Sequence, residues 1–298
     1  MPLFTPKGGT DGSHTVRTLP QPITVAPSVR ANERKKQVTV SGVTTSVDVA
    51  GVMVAFGTGR NITTDDPQNN NKQTLYSVLD NTSYKLIGVK KDRVAVCAST
   101  TDTDCLALVK SIDDLPTPVT QSNLVARQVS AAKVASRDGH DFWTIDASAT
   151  LDWATKKGWF MDLPETRERL IKPLEFYDSS NILSVFSQVP AKGSLVDPTV
   201  ETCDAGSVER ARQFWSLVNI MDGKRPSVQI MDTNGDGNYA LTADQGASRV
   251  SVASGSHTLI RRGDKLRLTG KKQDGSDDSL DNATLPEQSL RPRWRQLR

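Results

Sequence analysis

Short apolar runs separated by turn-forming residues recur along most of the chain, and this spacing limits what it can fold into. Runs such as GVMVAFG, QTLYSVLD, ILSVFSQV, RQFWSLVNIM and KLRLTG contain or precede Gly, Pro, Asn or Asp, and no long helical pattern alternates with them. Strands have this length and these boundaries, whereas amphipathic helices do not. The sequence therefore predicts an all-β fold of the propeller, sandwich or barrel type.

The predicted domain organisation is one large β-domain preceded by a short lead-in. Residues 1–18 are rich in Gly, Thr and Pro and show no period, so we interpret them as unstructured. Residues 19–298 are predicted to form the domain. Within it we expect a polar excursion at about 113–150, between two groups of strands, and an exposed polar loop at about 271–284.

The charge and hydropathy patterns exclude two classes of partner. The chain has 37 Lys and Arg against 34 Asp and Glu, a net charge of +3, and no continuous basic stripe, so nucleic acid is not an expected partner. No run approaches the roughly 18 apolar residues of a membrane span.

Residues 1–16 also lack the apolar core of a signal peptide. If the protein is exported, we expect the signal on a segment outside this sequence.

The sequence lacks the usual catalytic motifs. His14, His140 and His257 have no Cys or His neighbour at metal-ligand spacing, and no G-x-S-x-G nucleophile motif is present. The segment GTGR at 57–60 lacks the pattern of a phosphate-binding loop. We therefore predict a protein that is not an enzyme.

The segment MDTNGDGNYALTAD is the strongest local signal for a metal site. Asp232, Asn234 and Asp236 alternate, Gly237 follows where a tight loop needs free dihedral angles, and Asn238 is placed to offer its backbone carbonyl. This D-x-N-x-D-G spacing surrounds a hard cation such as Ca²⁺ with oxygen ligands. The sequence therefore predicts a calcium-binding loop, with Ca²⁺ as the cofactor.

The predicted loop lacks its usual closing carboxylate. Ala240 and Ala243 stand at the ninth and twelfth loop positions, and Asp244, one residue later, could close the shell directly or through water. We expect weak affinity for this reason. An ordinary Asp-Gly turn without an ion is the alternative, because Asp, Asn and Gly also dominate turns.

The tripeptide Arg262, Gly263 and Asp264 lies between two strand-like runs, HTLIR and KLRL. A hairpin tip would present it as an integrin-recognised loop is presented, which makes it a candidate adhesive turn. The alternative is a plain hairpin turn, because Gly-Asp is common in such turns.

Three cysteines, Cys97, Cys105 and Cys203, give an odd count. A hairpin between DRVAVC and CLALV could place Cys97 and Cys105 face to face, so a local disulfide is one reading and two buried thiols are the other. Cys203 would then be free or paired outside this chain.

Several segments within residues 19–298 together carry a resemblance to a known family. They are LPQPITVAPSV, GVMVAFGTGRNITTDD with QTLYSVLD, GWFMDLPETRERLIKPLEFY with ILSVFSQVP, the Cys203 and RQFWSLVNIMDGKRP region, and the terminal RPRWRQL. In this order they resemble the C-terminal β-propeller of the PilY/PilC family of type IV pilus tip-associated proteins. Because the family's propeller begins upstream of the first segment, the resemblance implies the later blades of a β-propeller, incomplete at its N-terminal side.

The resemblance implies a non-enzymatic module for type IV pilus assembly and tip adhesion. Its expected location is extracytoplasmic, at the pilus tip, the cell surface or in the periplasm, and its expected partners are minor pilins, the pilus tip and a host-cell or surface receptor. The family's calcium loop, which opposes pilus retraction, maps onto Asp232, Asn234, Asp236 and Asn238. Ala240 stands where the family often has a final Asp.

Two alternatives to this function follow from the same class of fold. A calcium-dependent quinoprotein-like propeller enzyme of the periplasm would carry adjacent cysteines and a regular tryptophan repeat, neither of which occurs in this sequence. A truncated, non-functional propeller remnant would not unfold cooperatively.

Overall fold

The fold was obtained as a computed structural model, in which all regular structure of the described residues is β-strand or short 3-10 helix. This confirms the predicted all-β class. The described residues are 28–40, 43–80, 84–87, 89, 93–96, 105–106, 119–146, 148–153, 155–192, 210–272 and 274–285.

The strands in these ranges are, in chain order, β1 (Ser28–Val40), β2 (Val43–Gly57), β3 (Thr74–Asp80), β4 (Tyr84–Ile87), β5 (Arg93–Val96), β6 (Cys105–Leu106), β7 (Val125–Arg127), β8 (Ala135–Arg137), β9 (His140–Thr144), β10 (Gly158–Asp162), β11 (Glu175–Phe176), β12 (Ile182–Val189), β13 (Arg212–Asn219), β14 (Ala247–Val252), β15 (Thr258–Arg262), β16 (Lys265–Lys271) and β17 (Asp277–Ala283). The 3-10 helices are Asp66–Gln68, Gln121–Asn123 and Tyr177–Ser179.

These strands form four sheets within the described part of the chain. The five-stranded sheet has the order β1-β2-β3-β10-β7, and the six-stranded sheet has the order β11-β12-β13-β14-β9-β8. A C-terminal sheet joins β15, β16 and β17, and a small sheet has the order β5-β4-β6. Pairing is antiparallel throughout, except between β7 and β10.

The six-stranded sheet lies between the five-stranded sheet and the C-terminal sheet. Neighbouring residues of β13 show this, because successive side chains of a strand point to opposite faces. Val218 packs in a core with Trp159 and Met161 of the five-stranded sheet, whereas Leu217 packs in a second core with Leu268 of the C-terminal sheet. The three sheets therefore stack face to face, with the six-stranded sheet in the middle and the five-stranded and C-terminal sheets on either side.

Two segments predicted to be polar connections are parts of these sheets instead. In the predicted excursion at about 113–150, β7 joins the five-stranded sheet, and β8 and β9 join the six-stranded sheet. In the predicted loop at about 271–284, β17 pairs with the full length of β16. Both predictions were wrong because the buried positions of these strands include polar residues such as His140, Asp278 and Asn282.

Other sequence predictions fall partly or wholly outside the described residues. The predicted lead-in, residues 1–18, lies outside them, as do Cys203 and the terminal RPRWRQL. Within the described ranges, no helix has the length and apolar character needed to cross a membrane.

Candidate functional site

The predicted calcium loop connects the end of a buried segment to the start of β14. Met231 forms a bridge with Asn282 of β17, and the amide of Ala283 donates to the carbonyl of Ile230 at 2.9 Å. The chain then leaves the sheet at Asp232, whose side chain is buried. The C-terminal sheet therefore supports the loop at its first residue.

Asp232 organises the first turn of the loop. Its Oδ1 accepts a hydrogen bond from the amide of Gly235 at 2.6 Å, and its Oδ2 accepts one from the amide of Gly237 at 3.0 Å. Both glycines have positive φ, at 82° and 75°. Side chains other than Gly are disfavoured in this conformation, so the glycines allow the chain to curl around the carboxylate.

The next predicted ligands lie on the exposed rim of the loop. Asn234 Oδ1 accepts from the amide of Asp236 at 2.9 Å, and Asp236 Oδ1 accepts from the amide of Asn238 at 2.7 Å. Asn234 also donates to Asp236 Oδ2 at 3.0 Å. These bonds place the oxygen-bearing side chains of Asn234 and Asp236 side by side, open to solvent.

Asp244 holds the two ends of the loop together from inside. It is completely buried, and its Oδ1 accepts from the amide and the hydroxyl of Thr233 at 2.7 and 3.0 Å. Its Oδ2 accepts from the amide of Ala240 at 3.0 Å. Three donors of the protein therefore surround the predicted closing ligand.

Two basic side chains lie beside the loop. Arg137 of β8 donates from Nη1 to Asp232 Oδ1 at 3.2 Å. Lys265 Nζ lies 3.6 Å from the position that a Cβ on Gly237 would occupy. Both charges offset part of the negative charge that would attract a cation.

Tyr239 of the loop is half-buried and lies near several carboxylates. Burial, together with the negative charges of Asp232, Asp281, Asp264 and Asp244, raises the pKa of Tyr239 to about 12. Its hydroxyl is buried and makes no hydrogen bond within the described residues. Tyr239 therefore stays a neutral phenol at physiological pH.

The oxygen-bearing side chains of the loop are the candidate ligands of the predicted Ca²⁺. In the described part of the chain, no three His, Cys, Asp or Glu side chains are grouped as a metal shell. The loop offers the exposed carboxylate of Asp236 and the buried carboxylate of Asp232, with amide and backbone oxygens beside them. Asp232 Oδ1 already accepts from the amide of Gly235 and from Arg137, so Asp232 Oδ2 and the oxygens of Asp236 are the carboxylate oxygens with a further acceptor site.

The candidate adhesive turn lies at the exposed tip of the β15–β16 hairpin. Arg262 pairs with Lys265 across a two-residue turn, and Gly263 has a φ of 65°. Asp264 is not among the residues with positive φ. A positive φ at the first central residue alone defines a type II′ turn, which favours Gly there. The turn thus explains the Gly-Asp pair without a ligand, while an adhesive role stays a prediction.

The predicted pairing of Cys97 with Cys105 involves a residue outside the described ranges. Cys105 opens β6 opposite Lys85 of β4, whereas β5 pairs with the other side of β4. In the described part of this sheet, β4 therefore lies between β5 and β6. Cys97 itself is not described, and the disulfide stays a prediction.

A buried cluster that sequence reasoning missed joins the C-terminal sheet to the six-stranded sheet. Asp278 of β17 lies between two imidazoles, with its Oδ1 3.2 Å from His140 Nε2 and its Oδ2 3.1 Å from His257 Nε2. All three side chains are buried. No sequence pattern predicts the cluster, because its members lie on separate strands and loops and meet only when the sheets pack.

The fold is similar to a solved structure. The crystal structure of the Pseudomonas aeruginosa PilY1 C-terminal domain matches this chain with a TM-score of 0.52 and 15% sequence identity. The match covers 94% of this chain and 48% of that domain, so the chain spans about half the length of the domain it matches. At this identity the likeness shows a PilY1-like fold. No protein-family model and no curated protein sequence matches the chain.

Proposed function

We propose that this protein is a non-enzymatic module of type IV pilus biogenesis that acts at the pilus tip and contributes to adhesion there. The observation that carries this proposal is the PilY1-like fold over 94% of the chain. The order of the family-like segments in the sequence is consistent with this proposal. Under this proposal the protein is extracytoplasmic, and its partners are minor pilins, the pilus tip and a host-cell or surface receptor.

The finer architecture that we propose is the later part of a β-propeller. Three sheets stack face to face and share two cores, one between the five-stranded and six-stranded sheets and one between the six-stranded and C-terminal sheets. Propeller blades have this relationship. The outer face of the five-stranded sheet carries a further apolar cluster around Phe56 and Tyr76, as a blade with another neighbour would.

We also propose that the loop at 232–238 binds Ca²⁺ with Asp232, Asn234, Asp236 and the carbonyl of Asn238. The bound ion would neutralise the carboxylates of Asp232 and Asp236 and stiffen the loop, which supports a role in balancing pilus extension against retraction. With two carboxylates, we expect a dissociation constant of about 10⁻⁴ to 10⁻³ M, the range of extracellular calcium modules.

Calorimetry and thermal melts test the calcium site directly. A ligand that binds only the folded state raises its stability by mass action, by about 1.4 kcal/mol at a calcium concentration ten times the dissociation constant. We expect Asp236→Ala to abolish this rise. Asp65→Ala is the matched control, because Asp65 is also an exposed turn aspartate and its side chain makes no capping hydrogen bond. An equal loss in both variants would contradict the assignment.

The cellular location tests the pilus proposal. Pili sheared from cells and purified should carry the protein, and immunogold labelling should place it at filament ends. Protein found only in the cytoplasm, and absent from sheared pili, would contradict the proposal.

A further inference from the structure

The hydrogen bonds around the buried Asp278 indicate which histidine nitrogens carry protons. Gln213 orients the first of these histidines, His257. Gln213 Oε1 accepts from Lys172 Nζ at 3.2 Å and from the amide of Gly255 at 3.3 Å. Its amide nitrogen therefore faces His257 Nδ1, at 3.3 Å, and donates to it. Because Nδ1 of His257 accepts, its Nε2 carries the proton and donates to Asp278 Oδ2. The hydrogen bonds thus assign a donor or acceptor role to each ring nitrogen of His257.

His140 has a different arrangement, because both of its nitrogens face oxygens. Nδ1 lies 2.8 Å from the carbonyl oxygen of Ser251, and Nε2 lies 3.2 Å from Asp278 Oδ1. A carbonyl and an ionised carboxylate only accept hydrogen bonds. Both ring nitrogens of His140 therefore face acceptors, an arrangement that favours an imidazolium beside the Asp278 carboxylate.

The surrounding residues support this charge assignment. Burial by itself lowers the pKa of His140, but its contacts with Asp278 and Ser251 outweigh burial and raise it. Burial raises the pKa of Asp278, but donors from His140, His257 and the amide of Ala253 outweigh burial and hold it far below its usual range. Lys272 is the nearby charge that opposes protonation of His140, and Asp141 favours it.

The cluster lies at a point where several strands meet. Asp278 belongs to β17, and its Oδ2 accepts from Ala253, directly after β14, at 2.7 Å. His257 packs on Gly270 of β16, where an added Cβ would come within 2.5 Å of the ring. His140 and Asp278 line an open groove of about 440 Å³, through which a proton can reach solvent. The cluster therefore joins β9, β14, β16 and β17 at a point accessible to protons.

We propose that His140, Asp278 and His257 form a proton-sensitive clamp, which fastens β17 to the six-stranded sheet while His140 is an imidazolium and loosens it when His140 loses its proton. Deprotonation would leave one ring nitrogen of His140 with its lone pair facing an oxygen, of Ser251 or of Asp278, and the buried carboxylate would lose its counter-charge. The opposite end of β17 pairs with Met231 just before the loop at 232–238. Loosening of β17 therefore also weakens the support of that loop.

The sign of the effect follows from the raised pKa of His140. A group whose pKa is higher in the folded state stabilises the fold below its unfolded pKa, about 6.5 for histidine, and loses this contribution as the pH rises through the folded value. The clamp is therefore closed in mildly acidic solution and opens toward alkaline pH.

Hydrogen exchange of the full chain, followed by mass spectrometry between about pH 6 and pH 8.5, tests the clamp across the pKa range of histidine. After correction for the intrinsic pH dependence of exchange, peptides covering β17 should lose protection as the pH rises, while those covering β12 should not. His140→Gln should make the β17 protection independent of pH. His257→Gln is the matched control, because it removes a hydrogen bond of the clamp but keeps the titrating imidazole.

Three results would overturn the proposal: a wild-type β17 whose protection does not change with pH, a pH dependence that survives in His140→Gln, or one that is lost equally in both variants. If His140→Gln does not fold, a histidine NMR titration of the wild type decides instead. His140 is expected to be doubly protonated at pH 6 and to lose its proton only above the ordinary histidine range. A His140 that is neutral at pH 6 would rule the clamp out.

Discussion

Arg137 and Asp232 form an ion pair between the six-stranded sheet and the first residue of the proposed calcium loop, with Nη1 3.2 Å from Oδ1. The aspartate is buried and the arginine is partly exposed. The guanidinium therefore occupies one of the oxygens that a bound cation would use. The ion pair therefore links β8 of the six-stranded sheet directly to the loop at 232–238.

Removal of Arg137 should strengthen calcium binding. Arg137→Ala frees Asp232 Oδ1 and removes a repulsive charge, and we expect affinity to rise about fivefold, which corresponds to about 1 kcal/mol for a partly exposed ion pair. Calorimetric titration measures this change. Arg137→Lys keeps the charge and should bind calcium close to the wild-type value. Weaker binding by Arg137→Ala would show that the arginine organises the loop for the ion.

Removal of Asp244 should destabilise the protein whether or not calcium is present. Asp244→Ala leaves the amides of Thr233 and Ala240 without their acceptor, and we expect a loss of about 3 kcal/mol in the free energy of unfolding. Urea denaturation in chelator and in calcium measures it. If stability fell only in the presence of calcium, Asp244 would be a ligand and not the internal brace that its three hydrogen bonds indicate.

Removal of one partner of the buried ion pair between Glu168 and Arg249 should lower the stability of the protein. Glu168 Oε1 lies 2.8 Å from Arg249 Nη2, both side chains are buried, and the guanidinium lies 4.1 Å from the centre of the Phe214 ring. Glu168→Leu leaves a buried positive charge and should lower the free energy of unfolding by about 3–5 kcal/mol. The double variant with Arg249→Met should recover most of this loss. If the double variant recovered no stability, the loss in Glu168→Leu would come from changed packing and not from an unpaired buried charge.

Acid should destabilise the fold through Asp278. Because its pKa is lowered in the folded state, the carboxylate contributes stability above its unfolded pKa of about 3.9, and this contribution is lost as the pH falls from there through the folded value. Asp278→Asn should be less stable than the wild type at pH 5 and should lose less stability between pH 5 and pH 3. Urea midpoints at the two pH values measure this, and parallel losses would contradict the assignment.

The sequence predicted the strands whose buried positions are apolar. GVMVAFG lies in β2 and RQFWSLVN forms β13, where Trp215 and Leu217 pack in one core and Val218 packs in the other. The apolar Ile230 and Met231 before the loop form only one bridge, at Met231, within the described residues. Gln229 donates its side-chain amide to the carbonyls of Met231 and Ala247, which replaces ladder hydrogen bonds in this segment.

The sequence could not predict β17 or the clamp, for a common physical reason. The buried face of β17 consists of Asp278, Leu280 and Asn282, so it lacks apolar alternation. Asp278 is satisfied by two histidines, and Asn282 by the carbonyls of Leu266 and Leu280. Partners from other strands make these polar residues compatible with burial, and such partners are not visible in a local pattern. The proposed calcium loop, in contrast, is a local pattern, and its residue spacing is visible in the sequence itself.

Surface piliation of a strain that lacks this gene tests the central claim most directly. The account predicts that the deletion removes most surface pili, that the intact gene restores them, and that Asp236→Ala restores fewer pili than Asp65→Ala. Normal pilus numbers and normal twitching motility in the deletion strain would contradict a role in pilus biogenesis. Restoration by Asp236→Ala to the level of Asp65→Ala would keep the pilus role and contradict the calcium control.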